Sequence, residues 1–171
     1  MSTLKNKIVK GSMQIILQLT AAIARRGSLV SLNNFLLRKL AEQRANGVLK
    51  NKLVEPPSTV NELGLAWQKA FPSVKQVPLI DITEDTVYAE IRTPCPLKRS
   101  GDLTACFRMM EYDRAYLSHF GGNFVVLKSQ ASSGVNCCKV AMQFSDRKND
   151  TQLKPAHLSV AASDFMNGAE A

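Results

Sequence analysis

Tryptophan occurs once and histidine twice in these 171 residues, and no apolar stretch approaches the run of about 18 residues that a membrane-spanning helix needs. A transmembrane protein is thereby excluded. H-E-x-x-H, paired C-x-x-C, the P-loop, G-x-G-x-x-G and G-x-S-x-G are all missing, which sets aside classical zinc proteases, zinc ribbons, nucleotide-binding enzymes and serine hydrolases. No internal repeat is visible. Acid is missing from one end: residues 1–52 hold ten Lys/Arg and a single acidic residue, Glu42, whereas residues 53–171 hold twelve and thirteen. The net charge of +8 therefore belongs to the N-terminal third. Such a segment suits an anionic partner in principle, but it is almost free of aromatic residues and carries no nucleic-acid-binding signature, so a solvated helix face is the simpler reading.

What remains is ordinary globular composition, 45% apolar and 21% charged, at a length that fits one domain with its own core. Lys5, Lys7 and Lys10 before an apolar stretch imitate a secretory signal. Gln14 and Gln18 interrupt that stretch and Arg25-Arg26 follow it. Ile8, Ile15, Ile16, Leu19 and Ile23 share one side at helical spacing, so an amphipathic helix is expected instead. The four cysteines then read as reduced cytoplasmic thiols.

Periodicity predicts an α+β chain. Helices are expected at about 3–25, 31–46 and 60–71, the first two antiparallel. Ser31 would cap the second, Leu32, Phe35, Leu36 and Leu40 would form its apolar stripe, and Gly47 would stop it. Thr59 and Glu62 have capping-box spacing at the start of the third. From Pro78 the period becomes that of strands, at about 78–82, 86–92, 123–130 and 137–144, forming an antiparallel sheet, with a helix at 102–119 between them. Residues 1–145 read as one domain and 146–171 as a loosely packed polar tail.

All four cysteines fall between Cys95 and Cys138. Cys95 lies between Pro94 and Pro96 in a stiff loop after a strand. Cys106 and Asp113 are seven residues apart, two helical turns, so a thiol and a carboxylate are expected to share a face with Met109 and Met110. In the last strand Cys138 points inward with Val140, Met142 and Phe144, and Cys137 points outward. If Cys95, Cys106 and Cys138 meet, they form a site for a divalent metal such as zinc or for a reactive thiol. His119, at a helix C-terminus, is a candidate proton-transfer group, although capping alone also explains it; His157 lies in the polar tail.

Residues Thr93–Phe144, with Cys95-Pro96 after a strand, Cys106 and Glu111-Tyr112-Asp113 on a helix, and Gly134-x-x-Cys137-Cys138-x-Val140-x-Met142 on a strand, resemble the C-terminal part of the L-2-amino-thiazoline-4-carboxylic acid hydrolase family. More distantly, the same order is similar to small-ligand-sensing domains related to 4-vinyl reductase. Met110 departs from the hydrolase pattern, where a cysteine is expected. The first resemblance implies hydrolysis of a small cyclic amidine-like carboxylate. In one route a metal-activated water attacks with Asp113 as base; in the other a cysteine such as Cys106 attacks and Asp113 or His119 transfers the proton. Arg92 or Arg108 would hold the substrate carboxylate. The second resemblance implies a non-catalytic module that binds a small ligand. Expected partners are a small molecule and, through the N-terminal helices, a second copy of the chain; a membrane is not expected, and nucleic acid is disfavoured.

Overall fold

Local chemistry sets the start of one helix: Thr59 Oγ1 accepts from the Glu62 backbone N–H and the Glu62 carboxylate accepts from the Thr59 N–H, both at 3.2 Å, a reciprocal capping box. The computed structural model describes residues 15–147 and 152–158, and over these the chain is α+β. In chain order the elements are α1 (Ile15–Ala24), a 3-10 turn (Gly27–Leu29), α2 (Val30–Lys50), α3 (Val60–Gln68), a second 3-10 turn (Val74–Gln76), β1 (Leu79–Ile82), β2 (Val87–Ile91), α4 (Leu103–Met109), α5 (Glu111–Ser118), β3 (Gly122–Lys128) and β4 (Cys138–Phe144).

The four strands form one antiparallel sheet in the order β1-β2-β4-β3. Val87, Ala89 and Ile91 are buried and stand opposite Met142, Val140 and Cys138, so the alternation read from the sequence puts one face of both central strands in the core. Cys138 accordingly points inward, and Cys137 is half-buried. Helices α3 and α5 cover the sheet, and α2 packs outside α5. Tyr116 Oη donates to the Ala66 carbonyl at 3.1 Å, tying α5 to α3, while Arg38 of α2 and Arg114 both donate to the buried Glu111 carboxylate. Those two guanidinium hydrogen bonds outweigh the cost of burial and hold Glu111 below the usual carboxylate range.

The N-terminal helices differ from expectation. α1 and α2 turn through 107° at their junction rather than folding back antiparallel. On α1 the isoleucine side faces out, with Ile15, Ile16 and Leu19 more than half exposed, and the small Ala21 and Ala24 are buried instead; Ile8 lies outside the described residues. On α2 the stripe Leu32, Phe35, Leu36 and Leu40 is exposed, and the buried line is Asn33, Leu37, Ala41, Ala45 and Val48. Both lines have helical spacing, but alanines at the crossing let two helix axes approach closely where leucines would hold them apart. Neither Ser31 nor Gly47 bounds the helix: Leu29 occupies the N-cap position without a side-chain bond, and the helix runs through Gly47 to Lys50. Burial of Val48 offsets the cost of about 1 kcal/mol that glycine carries inside a helix.

The expected helix at 102–119 is two helices. Asp102 caps the first by accepting from Ala105 N–H at 2.7 Å, and Met110, with ψ at 9°, ends α4 and begins α5. Neither proline nor glycine marks this break. Gly121 at φ +72° then turns the chain out of α5, and Gly122 begins β3 so close to the helices that a Cβ there would lie 2.8 Å from Leu117 Cγ and 2.9 Å from Leu63 Cδ1. Gly122→Ala is expected to cost about 1–3 kcal/mol by overpacking, read as a lower urea midpoint with an unchanged slope. Part of the expected tail is docked: Ala156 is buried and the His157 ring lies 4.0 Å from that of Phe107.

Candidate functional site

A cavity of about 1130 Å³ opens between α1, α2, the chain after α3, the Thr93–Pro96 loop and the joint of α4 and α5. Its walls are mainly apolar, including Phe71, Ile91, Met109 and Met110. The expected site residues Cys95, Asp113 and Cys138 all line it, together with Tyr112 and Gln130. Cys106 does not. The break at Met110 leaves Met109, Met110 and Asp113 on the large cavity and Cys106 on a separate space of about 100 Å³ beside Phe107, Arg114, Ser129 and His157. The thiol and the carboxylate expected on one face therefore look into different spaces.

Gln130, which no sequence pattern singles out, organises the cysteine loops. Its side-chain amide donates to the carbonyls of Ile91 at 3.1 Å and Thr93 at 3.0 Å and accepts from Cys95 N–H at 3.3 Å, while its backbone N–H donates to Cys138 Sγ at 3.3 Å. A buried amide with few alternative partners thus joins the end of β2, the proline-bounded loop and the start of β4. Ser129 Oγ donates to Cys106 Sγ at 3.0 Å. Burial is the main cause that raises the Cys95 and Cys106 thiols and pushes Cys138 up to about 12; Cys95 also raises Cys106, and both raise Cys138. All three are protonated at neutral pH, the opposite of what a nucleophile needs.

Asp113 is set differently. It is 8% exposed, and its Oδ1 accepts from Trp67 Nε1–H at 3.0 Å. Burial dominates over that bond and over the nearby Arg114, and pushes the carboxyl up to about 6. Tyr112, lifted to about 12 by burial and by Asp113, stays a neutral phenol at the same wall. The Trp67–Asp113 pair has a sequence signal only in retrospect, since a tryptophan on the buried stripe of α3 requires an acceptor for its indole N–H.

The remaining expected residues lie elsewhere. His119 caps α5 at the exposed surface, within electrostatic reach of Glu42. Arg92 is exposed and paired with Glu90 at 2.9 Å. Arg108 donates to the Ala24 carbonyl at 3.0 Å and so fastens α4 to the end of α1. None of the three lines either cavity. His157 lines the smaller space, held below its ordinary value by burial and then by Arg114.

Zinc does not fit this donor set. Among the described residues no group of three His, Cys, Asp or Glu is arranged to hold a metal ion, and Cys106 lies on a different space from Cys95 and Cys138. Native protein treated with a thiol reagent at pH 7.5 is expected to label first at Cys137, with Cys106 and Cys138 protected until unfolding; mass mapping of the modified peptides checks the order. No helix among the described residues is by itself long and apolar enough to cross a membrane. No protein-family model matches the chain, and no curated protein matches it.

Proposed function

We propose that this chain is a small-ligand-binding module, of the kind suggested by the likeness of Thr93–Phe144 to sensing domains related to 4-vinyl reductase, which holds an apolar molecule between its N-terminal helices and the end of its sheet. The observation that carries the reading is the cavity itself: about 1130 Å³, apolar on most of its wall, with polar groups such as Asp113, Tyr112 and Gln130 among the lining. The thiols support binding rather than attack, because burial keeps them protonated and each has a hydrogen-bond partner inside the protein. Residues expected to orient a substrate carboxylate or move a proton, Arg92, Arg108 and His119, point to other tasks.

The test is thermal. A neutral apolar probe such as N-phenyl-1-naphthylamine, at a hundred times its Kd, stabilises the folded state by about 2.7 kcal/mol, a rise in Tm of about 5–10 °C for a chain of this size. Ala70→Phe, which projects a ring from the cavity wall, is expected to weaken that probe at least about tenfold. Unchanged melting of wild-type protein with the probe, or equal affinity in the variant, argues against a binding cavity.

One observation favours the hydrolytic reading as a second choice. A carboxyl near 6 inside a cavity is matched to proton transfer at neutral pH. Under that reading ionised Asp113 takes a proton from water as it adds to the amidine-like carbon of a bound aminothiazoline carboxylate, and returns that proton to the nitrogen or sulfur that leaves when the tetrahedral intermediate collapses. Turnover of that substrate by wild-type protein, lost in Asp113→Asn, would establish it; binding without turnover leaves the module.

A further inference from the structure

Among the described residues, every ionisable side chain on the large cavity other than Asp113 is uncharged at neutral pH: they place no lysine, arginine or histidine on the wall, Tyr112 is a phenol, and Cys95 and Cys138 are thiols. Asp113 is the single carboxylate that the described residues place there. Its Oδ1 has the Trp67 indole N–H, a neutral donor that does not neutralise its charge. The cations nearby are engaged elsewhere. Arg114 donates to the Glu111 carboxylate and the Phe107 carbonyl, Arg38 to Glu111, and Arg44 to the Lys69 carbonyl. A carboxylate in an apolar wall is costly unless a positive charge meets it, and the described residues supply none on the cavity side.

We infer that the ligand is an apolar amine: a hydrocarbon body against Phe71, Ile91, Met109 and Met110, and a protonated nitrogen held by the Asp113 carboxylate. The inference rests on the binding reading and names the chemistry of its ligand. An ammonium or amidinium group forms a charge-assisted hydrogen bond with Asp113, and Tyr112 lines the same wall. An aliphatic ammonium, with a pKa of about 10, keeps its charge at pH 7.5, where Asp113 is ionised. A fatty acid of the same length would bring like charge to the same place and is disfavoured.

Trp67 makes the inference testable at the site. It is the only tryptophan, it is fully buried, and its indole N–H is bonded to Asp113, so its emission reports on the carboxylate rather than on the exposed stripe of α2. Decylamine, 1-decanol and decanoate are titrated into the intact protein at pH 7.5, and Trp67 emission is followed. Decylamine is expected to bind about 30-fold or more tightly than 1-decanol, with decanoate weakest. In Asp113→Asn, whose amide oxygen can still accept from Trp67, the advantage of the amine over the alcohol disappears. Equal affinity of amine and alcohol in wild-type protein overturns the inference and leaves the cavity standing. An amine preference that survives in Asp113→Asn also overturns it. If decylamine, 1-decanol and N-phenyl-1-naphthylamine all fail to bind, the binding reading falls first and the ligand class with it. The wild-type ranking needs no variant, so the test holds even if Asp113→Asn does not fold.

Discussion

Asp113→Asn is expected to make the protein more stable at pH 7.5, by on the order of 3 kcal/mol, the value of a shift from 3.8 to about 6 at 1.36 kcal/mol per pH unit. The carboxyl is raised in the folded state. Below about pH 3.8 it is protonated folded and unfolded, and burial costs no charge. Between 3.8 and 6 the unfolded chain ionises while the folded one does not, so stability falls as pH rises, and above 6 the full penalty is present. Asparagine has no charge to bury and keeps an acceptor for Trp67 Nε1–H. Urea unfolding of both proteins at pH 7.5 and 4.5 checks this: the gain should be large at the first pH and smaller at the second, and the midpoint of melting at pH 7.5 should rise by about 6–12 °C. A variant less stable than wild type at pH 7.5 would show that the carboxylate is held favourably and would remove the reason to seek a cationic ligand. An acid retained against its own stability is what a binding site requires, because the ligand supplies the missing charge.

The parts of the fold legible in the sequence are those decided within a few residues. Thr59 and Glu62 meet because a capping box is set by one helical turn, and Cys138 faces the core with Val140 and Met142 because a strand alternates whatever its partners; Cys137 lies in a bend just before β4. The change from helical to strand period at Pro78 and the hairpin of β1 and β2 follow for the same reason. Choices between two equivalent faces were not legible. On α2 the leucine stripe and the alanine line have the same period, and only the approach of α5 selects the alanines. Met110 breaks the helix without a residue that announces it, and that break separates Cys106 from Asp113. The candidate site was legible in composition but not in assembly. Cys95, Cys138 and Asp113 come to one cavity, whereas the bonds that Gln130 makes to Cys95 and the Trp67 indole to Asp113 act across 35 and 46 positions of sequence. Arg92, Arg108 and His119 carry suitable chemistry, but an ion pair, a carbonyl and a helix end account for where they lie.

The largest loss is expected at Trp67, and the way it divides between volume and hydrogen bond identifies the state of Asp113. Trp67 is fully buried, with its ring edge-on to Phe71 at 4.9 Å and tilted against Phe124 at 5.8 Å. Trp67→Ala removes that packing and the donor together and should cost about 3–5 kcal/mol. Trp67→Phe keeps a ring beside Phe71 and Phe124 but strips the N–H from Asp113, a charge-assisted bond worth about 1.5–3 kcal/mol. Because the bond favours the ionised acid, its loss raises the Asp113 pKa further, so the cost of Trp67→Phe grows as pH rises from 4.5 to 7.5. In an Asp113→Asn background the cost should be smaller and independent of pH, leaving a coupling of about 0.5–3 kcal/mol between the two positions at pH 7.5. Urea unfolding of the four proteins at both pH values measures each quantity. A cost of Trp67→Phe that is the same at pH 4.5 and 7.5 would mean that Asp113 is not ionised beside the indole, and the cavity would then hold a neutral acid suited to donating a hydrogen bond rather than to receiving a cation.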